Sequence, residues 1–459
     1  MELNRTLYFY NYGAIRLTGV LYNLRIIAIT VSGLRCLSYV ESFTPAARAV
    51  HSSVFIESNN RLYFLGGEIN GNIPVNEVFY LDVSKNFDTV SPPWTDLTPA
   101  AAIPFRSSWA GVSDISINGD SIISLFGGYM LDNNIDQDSF TSNLYTFNVT
   151  SQQWSIPQIQ GNSPKRRRNM KSVIDDSGII YIFGGYFVVP TTPQEIMFND
   201  MIKIDINTFS LSFGSTQNGP TRRCAYTATL LPKGIIVYIG GYEEDGNSIV
   251  DINEVFLYNT KLDAWSLMNA NNINSIESRY LHSAVLAPDG KIIVYGGLKD
   301  ALGEETMKVV PDLAVLDTNT FPFEWNVPQV TSNVGSIPSL ACHSADIVGD
   351  NMIVAFGNIT RSNAPSVELN PKIYLLNVMN YTWVNTFDPK QQSTDNNIDT
   401  TQQDKIAKIK TEIGIICGVI GSVVIIVIIF FINKWKKRDK VTLRIPGEET
   451  LRIPSEKRL

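Results

Sequence analysis

The chain has 459 residues, 44% hydrophobic and 18% charged, with a formal net charge of −7. That length admits two or three ordinary domains, or one large repeat domain with attachments, and the negative charge argues against a general nucleic-acid footprint. Four cysteines are too few and too scattered for a disulfide scaffold: Cys417 lies in an apolar run, and Cys224 and Cys342 read as free buried thiols.

The first element in chain order is a leader. "RIIAITVSGL" (25–34) sets a cation before an apolar stretch of signal-peptide length, and the small residues Cys36 and Ser38 follow at cleavage-like spacing. Residues 1–38 are expected to act as a signal segment, with either an unusually long leader or a misassigned start. Without that function, the protein would be held by its tail with the large domain in the cytosol.

From residue 39 to 387 one pattern recurs. "LYFLGG" (62–67) returns as "ISLFGG" (123–128), "IYIFGG" (180–185), "VYIGG" (237–241), "IVYGG" (293–297) and, worn, "IVAFGN" (353–358). The glycines are Gly66, Gly67, Gly127, Gly128, Gly184, Gly185, Gly240, Gly241, Gly296, Gly297 and Gly357, and the pairs recur every 56 to 61 residues. Upstream of each lies Arg-x-x-(His or aromatic): Arg48…His51, Arg106…Trp109, Arg168…Lys171, Arg223…Tyr226, Arg279…His282, and Leu340…His343 with the arginine lost. Downstream come a variable loop, a strand such as "NEVFYLD" (76–82), and a last strand carrying Trp94, Trp154, Trp265, Trp325 or Trp383, with Phe213 in the third unit. Each unit thus holds four short strands, and no long amphipathic helix pattern precedes residue 400, so the class is all-β.

Four-stranded units at this spacing read as propeller blades. The second strand is apolar on consecutive residues because both of its faces touch other units. The glycines end it where no side chain fits, and the tryptophans fill the widening wedge. The pattern over 48–385 resembles the kelch repeat, also found in the propeller of galactose oxidase. That resemblance implies a six-bladed kelch-type β-propeller with the Arg-x-x-His strand innermost. The sixth unit departs at Leu340 and at Asn358, which is read as standing in a glycine slot. A closing strand is not visible, although "YVESFTP" (39–45) or "TFDP" (386–389) could supply one.

The loops after the glycines and the segments leading to each arginine are expected on one face. Those loops are long, so ligand binding is assigned there. Arg48, Arg106, Arg168, Arg223 and Arg279 would ring its inner mouth, as forks for acidic ligands or as ties between blades. The loop acids Asp132, Asp136, Asp138, Glu243, Glu244, Asp245, Glu304 and Glu305 read as a solvated rim rather than a cation site. Asn148 and Asn380 are glycosylation candidates on the opposite face.

His51, His282 and His343 share one slot of the repeat, so they lie around the axis and no copper site is expected. No cofactor, metal or catalytic constellation is expected, and the protein reads as a non-enzyme.

Residues 388–412 read as a flexible polar stalk. "IGIICGVIGSVVIIVIIFFI" (413–432) has no charge and the length of a transmembrane α-helix, and the cations that follow place 433–459 in the cytosol. Gly414, Gly418 and Ser422 share the spacing of a helix-pairing motif, so weak homodimerisation is open, and "TLRIP" occurs twice in the tail. The expected protein is a single-pass type I membrane protein whose extracellular or lumenal propeller binds protein or glycan. A tail-anchored cytosolic scaffold and a secretory-pathway carbohydrate enzyme are the alternatives.

Overall fold

The second strand of each unit can stay dry only if each of its faces finds a different neighbour. In the computed structural model, Leu62 and Phe64 pack with Ile353, Ala355 and Phe356 of the last unit, while Tyr63 and Leu65 pack with Ile123 and Leu125 of the second. All four side chains are at most 2% exposed, and burying each contributes about 1.5–3 kcal/mol. Ile292 and Val294 face the fourth unit in the same way, and Ile293 and Tyr295 face the sixth.

The structure describes residues 24–31, 34–41 and 43–390, except 71–72, 134–141, 190–194, 245–247, 273–275, 300–307 and 362–367, with side chains from residue 43 onward. Among the described residues, six sheets follow one another, each with four antiparallel strands in chain order, and the sixth carries a fifth strand from the connector before it. The first comprises Ser52–Ile56, Arg61–Leu65, Val78–Asp82 and Trp94–Asp96. The second comprises Gly111–Ile117, Asp120–Phe126, Leu144–Asn148 and Gln153–Ser155. The third runs from Ser172–Ile174 to Ser210–Phe213, and the fourth from Thr227–Leu231 to Ala264–Asn269. The fifth runs from Ser283–Leu286 to Glu324–Asn326, and the sixth from Ser344–Val348 to Thr382–Val384. Innermost strands touch in chain order, and the first touches the sixth. The fold is an all-β propeller.

In the third, fifth and sixth sheets the outer edge is covered by the connector from the preceding sheet. Thr331–Ser332 pairs in parallel with the last strand of the sixth sheet, and Gln160 and Asn271 make parallel bridges to Ser210 and Glu324. This removes the open edges that would otherwise pair with another chain. After the sixth sheet, Thr386–Phe387 behaves as one more such connector and pairs with Phe87–Asp88, outside the four strands of the first sheet. The second of the two expected closing segments is therefore used as an outer clasp. Phe387 stacks on Phe87 with ring centroids 5.0 Å apart. Phe387→Leu is expected to cost about 1 kcal/mol through the lost stacking, read as a lower denaturation midpoint with an unchanged slope.

Two assignments within the repeat are corrected. Strand register pairs Leu81 with Trp94, Phe147 with Trp154, Tyr258 with Trp265 and, in the third sheet, Ile204 with Leu211. Leu211 therefore holds the tryptophan slot, and Phe213 is 49% exposed. In the sixth unit Phe356 stands in the first glycine slot with φ 58°, Gly357 in the second, and Asn358 follows them.

Residues Leu24–Val31 and Leu34–Glu41, spanning the segment read as a leader and the start of the propeller, pair as an antiparallel hairpin. Among the described residues, no helix is long and apolar enough to cross a membrane. The span expected at 413–432, the tail at 433–459 and the stalk from residue 391 lie outside them.

Candidate functional site

Each lead-in to an inner strand passes through one non-glycine residue with φ between 51° and 61°: Val50, Trp109, Asn169, Ala225, Leu281 and Cys342. Such a conformation costs roughly 1–2 kcal/mol per residue, and the reason for it is a ring of hydrogen bonds. Each of these N–H groups donates to the carbonyl of its counterpart in the preceding sheet at 2.9–3.0 Å, and Val50 donates to Cys342 to close the circle. These residues line the throat of a central channel.

Two residues before each throat position lies the arginine slot. Its carbonyl accepts the N–H of the second glycine of the preceding sheet, at 2.8–3.0 Å, in all six units: Arg48, Ser107, Arg167, Arg223, Arg279 and Leu340. Arg48, Arg223 and Arg279 are as expected. Arg106 and Arg168 stand one residue to either side of the slot, because the lead-in turn, not the arginine, sets the register.

The four slot arginines are at most 2% exposed. Arg279 donates to the carbonyls of Glu277, Gly296 and Pro311 at 2.9–3.2 Å. Arg48 binds the Gly66 carbonyl at 2.8 Å and the Glu77 carboxylate, and lies 4.6 Å from the Phe79 ring centroid. Arg167 repeats this with Gly184, Asp200 and Phe198, and Arg223 lies over Phe256 and near Glu243. Burial pushes Arg223 and Arg279 down to about 10, which leaves both charged at neutral pH. The guanidinium groups of Arg48, Arg167 and Arg279 tie the end of the second strand to the start of the third, and Arg223 instead binds Thr221 and Glu243.

One step further along, His51, His282 and His343 bond through Nε2 to hydroxyls of the preceding sheet: Ser344, Thr227 and Ser283, at 2.7–3.1 Å. Burial holds all three well below the usual histidine range, with His343 at about 3, so they are neutral ties between sheets. Among the described residues, no three His, Cys, Asp or Glu side chains converge as metal ligands would. Cys224 and Cys342 are free, and burial pushes both thiols up to about 12.

A cavity of about 260 Å³ occupies the channel and is lined by hydroxyls, by Lys171 and by Asp346. Lys171 stands where the other units have Ser52, Gly111, Thr227, Ser283 and Ser344. Its side chain is open to the channel space yet enclosed by protein, and that enclosure lowers its pKa. Asp346 accepts a 2.5 Å bond from Ser53, but burial pushes it up from 3.8 to about 6. The folded chain then keeps a proton in this window that the unfolded chain has released. The contribution to stability is complete below about pH 4 and is lost as pH rises through about 6. Asp346→Asn is expected to remove roughly 2–3 kcal/mol of that fall, measured by urea unfolding on both sides of the window.

At the mouth of the channel the residues after the glycines bridge back to the lead-ins: Glu68 to Ala49, Tyr129 to Ser108, Tyr186 to Arg168, Tyr242 to Cys224, Leu298 to Tyr280 and Asn358 to Ala341. The long loops and lead-ins therefore share one face, as expected. On it lies a half-buried rim of Tyr129, Tyr186, Tyr242 and Tyr280. The Arg168 guanidinium sits 5.3 Å from the Tyr129 ring centroid and 4.8 Å from that of Tyr186. Its Nε is buried and unpaired. Tyr242 and Tyr280 approach to 6.1 Å. Arg106 is half-buried beside them and donates to the Asp132 carbonyl at 3.1 Å. The tyrosines were missed in the sequence reading, although "GGY" three times in a row marks Tyr129, Tyr186 and Tyr242, while Tyr280 lies in a lead-in.

Of the loop acids, Glu243 accepts Thr221 at 2.6 Å and Glu244 pairs with Arg222 at 3.5 Å. Asp136, Asp138, Asp245, Glu304 and Glu305 lie outside the described residues. Asn148 and Asn380 both occupy turns between third and fourth strands, on the opposite face; Asn380 is exposed, and the Asn148 amide donates to Asp120 at 3.1 Å.

Sheet order, glycine pairs and the throat ring together define a kelch-repeat β-propeller protein. The chain belongs to the Attractin/LZTR1 β-propeller family, whose model matches residues 36–307. A KLHDC2/KLHL20/DRC7 Kelch-repeats domain model matches residues 226–421. Kelch domain-containing protein 3 of Rattus norvegicus is 27% identical over 328 residues, covering 69% of this chain and 78% of that protein. Kelch domain-containing protein 1 of Homo sapiens is 23% identical over 315 residues, covering 63% and 71%. A solved structure titled "Structure of YjhT" superposes with a TM-score of 0.53 at 14% identity, covering 75% of this chain and 98% of that one. This last likeness concerns the fold alone.

Proposed function

We propose that this protein is a six-bladed kelch propeller that recognises a partner protein through the channel mouth on its long-loop face. The tyrosine–arginine rim carries the reading. Tyrosine and arginine are the side chains that concentrate binding energy at protein interfaces, and here they stand half-buried around a mouth braced by the throat ring. The slot arginines are spent on backbone carbonyls and neighbouring acids, which leaves Arg168 as the arginine of the expected set best placed for a ligand. We further propose that residues 413–432 anchor the propeller to a membrane, with residues 433–459 on the cytosolic side. The two unpaired thiols favour a second reading, a cytosolic scaffold held by its tail.

The test is affinity capture with the wild-type chain beside Arg168→Ala and a Tyr186→Ala/Tyr242→Ala double variant. Partners retained by the wild type are expected to be lost at least tenfold from both variants, which stay folded, with Arg168→Ala giving up about 1 kcal/mol of stability. Retention of the same partners by both would sink the rim. Glycosidase treatment separates the two topologies: a shift in gel mobility supports an outward-facing propeller, and an unshifted, protease-shielded propeller supports the cytosolic scaffold.

A further inference from the structure

Among the described residues, two charged side chains of opposite sign line the central channel. Lys171 borders both the throat and the cavity of about 260 Å³ next to it, and Asp346 borders the cavity. They come from the third and sixth sheets, which stand opposite each other in the ring. The other titratable groups there carry no charge: burial keeps His51, His282 and His343 neutral and the Cys342 thiol protonated. The Lys171 ammonium extends towards the axis, since its charge acts on histidines of the first, fifth and sixth sheets and on Asp346.

These two charges attract each other but form no ion pair, and for Lys171 enclosure outweighs that attraction. Asp346 accepts the Ser53 hydroxyl on Oδ2 at 2.5 Å. Its Oδ1 accepts no hydrogen bond among the described residues and is not sealed off from the cavity it lines. Lys171 is open to the same space and donates no side-chain bond among the described residues. Enclosed charges held apart cost free energy. A ligand carrying both complementary charges recovers it at both ends, whereas a ligand with one charge leaves the other end uncompensated. Between the two ends, Ala110, Val112, Ala228, Ala284 and Ala345 present small apolar walls. The volume lies just below the roughly 300 Å³ at which most ligand sites begin, so the occupant is small.

We infer that the channel binds a small aliphatic amino acid as its zwitterion, with the carboxylate on Lys171 Nζ, the ammonium on Asp346 Oδ1 and the side chain against the alanine walls. The free amino acid is the source that fits, because a polypeptide carries its terminal ammonium and carboxylate on different residues. The site lies inside the throat ring and does not rest on the tyrosine rim.

The test is isothermal titration calorimetry of the full chain with L-alanine, N-acetyl-L-alanine and L-alaninamide hydrochloride at pH 7.4. Alanine is expected to saturate a single site per chain. The acetylated form lacks the cation and the amide lacks the anion, and each is expected to bind at least tenfold more weakly. Lys171→Met and Asp346→Asn, shown to be folded by cooperative melting, are each expected to lose at least tenfold in alanine affinity. The wild type supplies a readout that needs no variant. As pH falls through about 6, Asp346 takes up a proton while alanine stays zwitterionic, so affinity at pH 5 is expected to be about a tenth of that at pH 7.4. Absence of saturation, equal binding of either singly charged analogue, undiminished affinity in either variant, or tighter binding on acidification would overturn the site. Tighter binding of N-acetyl-L-alanine than of alanine, strengthened by acid, would mark a plain anion site at Lys171 instead.

Discussion

Gly296→Ala is expected to destabilise the protein by ~4 kcal/mol or more, by combining left-handed strain with loss of a buried hydrogen bond. A Cβ at this position would stand 2.0 Å from the Leu340 carbonyl oxygen and 3.0 Å from His343 Cε1, in a residue with φ +66°. The carbonyl cannot retreat, because it accepts the Gly297 N–H at 2.8 Å across the sheet boundary. Gly119→Ala is the matched control: φ is +87°, but nothing lies within 4 Å of the added carbon. It should cost about 1–2 kcal/mol from the backbone alone. Urea unfolding of both proteins reads the difference. Equal costs would mean that the glycine pairs serve only as turns and not as the seam between sheets.

That seam explains which parts of the fold were legible in the sequence. A glycine pair after four apolar residues is visible because two constraints, contact on both faces and a carbonyl against Cα, act on adjacent positions. The six units and their order followed from it. The arginine register did not. Arg106 and Arg168 flank the slot, and what sets the slot is a left-handed residue two positions later, occupied by Val, Trp, Asn, Ala, Leu or Cys. A backbone conformation shared by six dissimilar side chains leaves no trace in composition. Leu211 in the tryptophan slot and Phe356 in a glycine slot were hidden for a related reason. Phe356 packs 5.4 Å from His51 and 5.8 Å from Trp94, so tertiary contacts of the first sheet outweigh its positive φ. Three of the rim tyrosines were legible as "GGY" but carry no signal of function until neighbours from the lead-ins, such as Arg168 and Tyr280, stand beside them.

The buried slot arginines and the half-buried Arg168 are expected to respond in opposite ways. Arg279→Met is expected to cost ~4 kcal/mol, because it strips the carbonyls of Glu277, Gly296 and Pro311 of their donor in a site closed to water. Methionine keeps much of the length and none of the bonds. Partner capture by the surviving folded fraction should be unchanged, since Arg279 is fully buried. Arg168→Ala should behave in the opposite way. It gives up stacking against Tyr129 and Tyr186 at a half-buried position, worth about 1 kcal/mol of stability, while capture falls at least tenfold. Melting curves and capture yields on the two variants therefore cross. If Arg279→Met lost its partners at an unchanged melting temperature, the slot arginines would be ligand groups, and the division between a structural ring and a binding rim would fail.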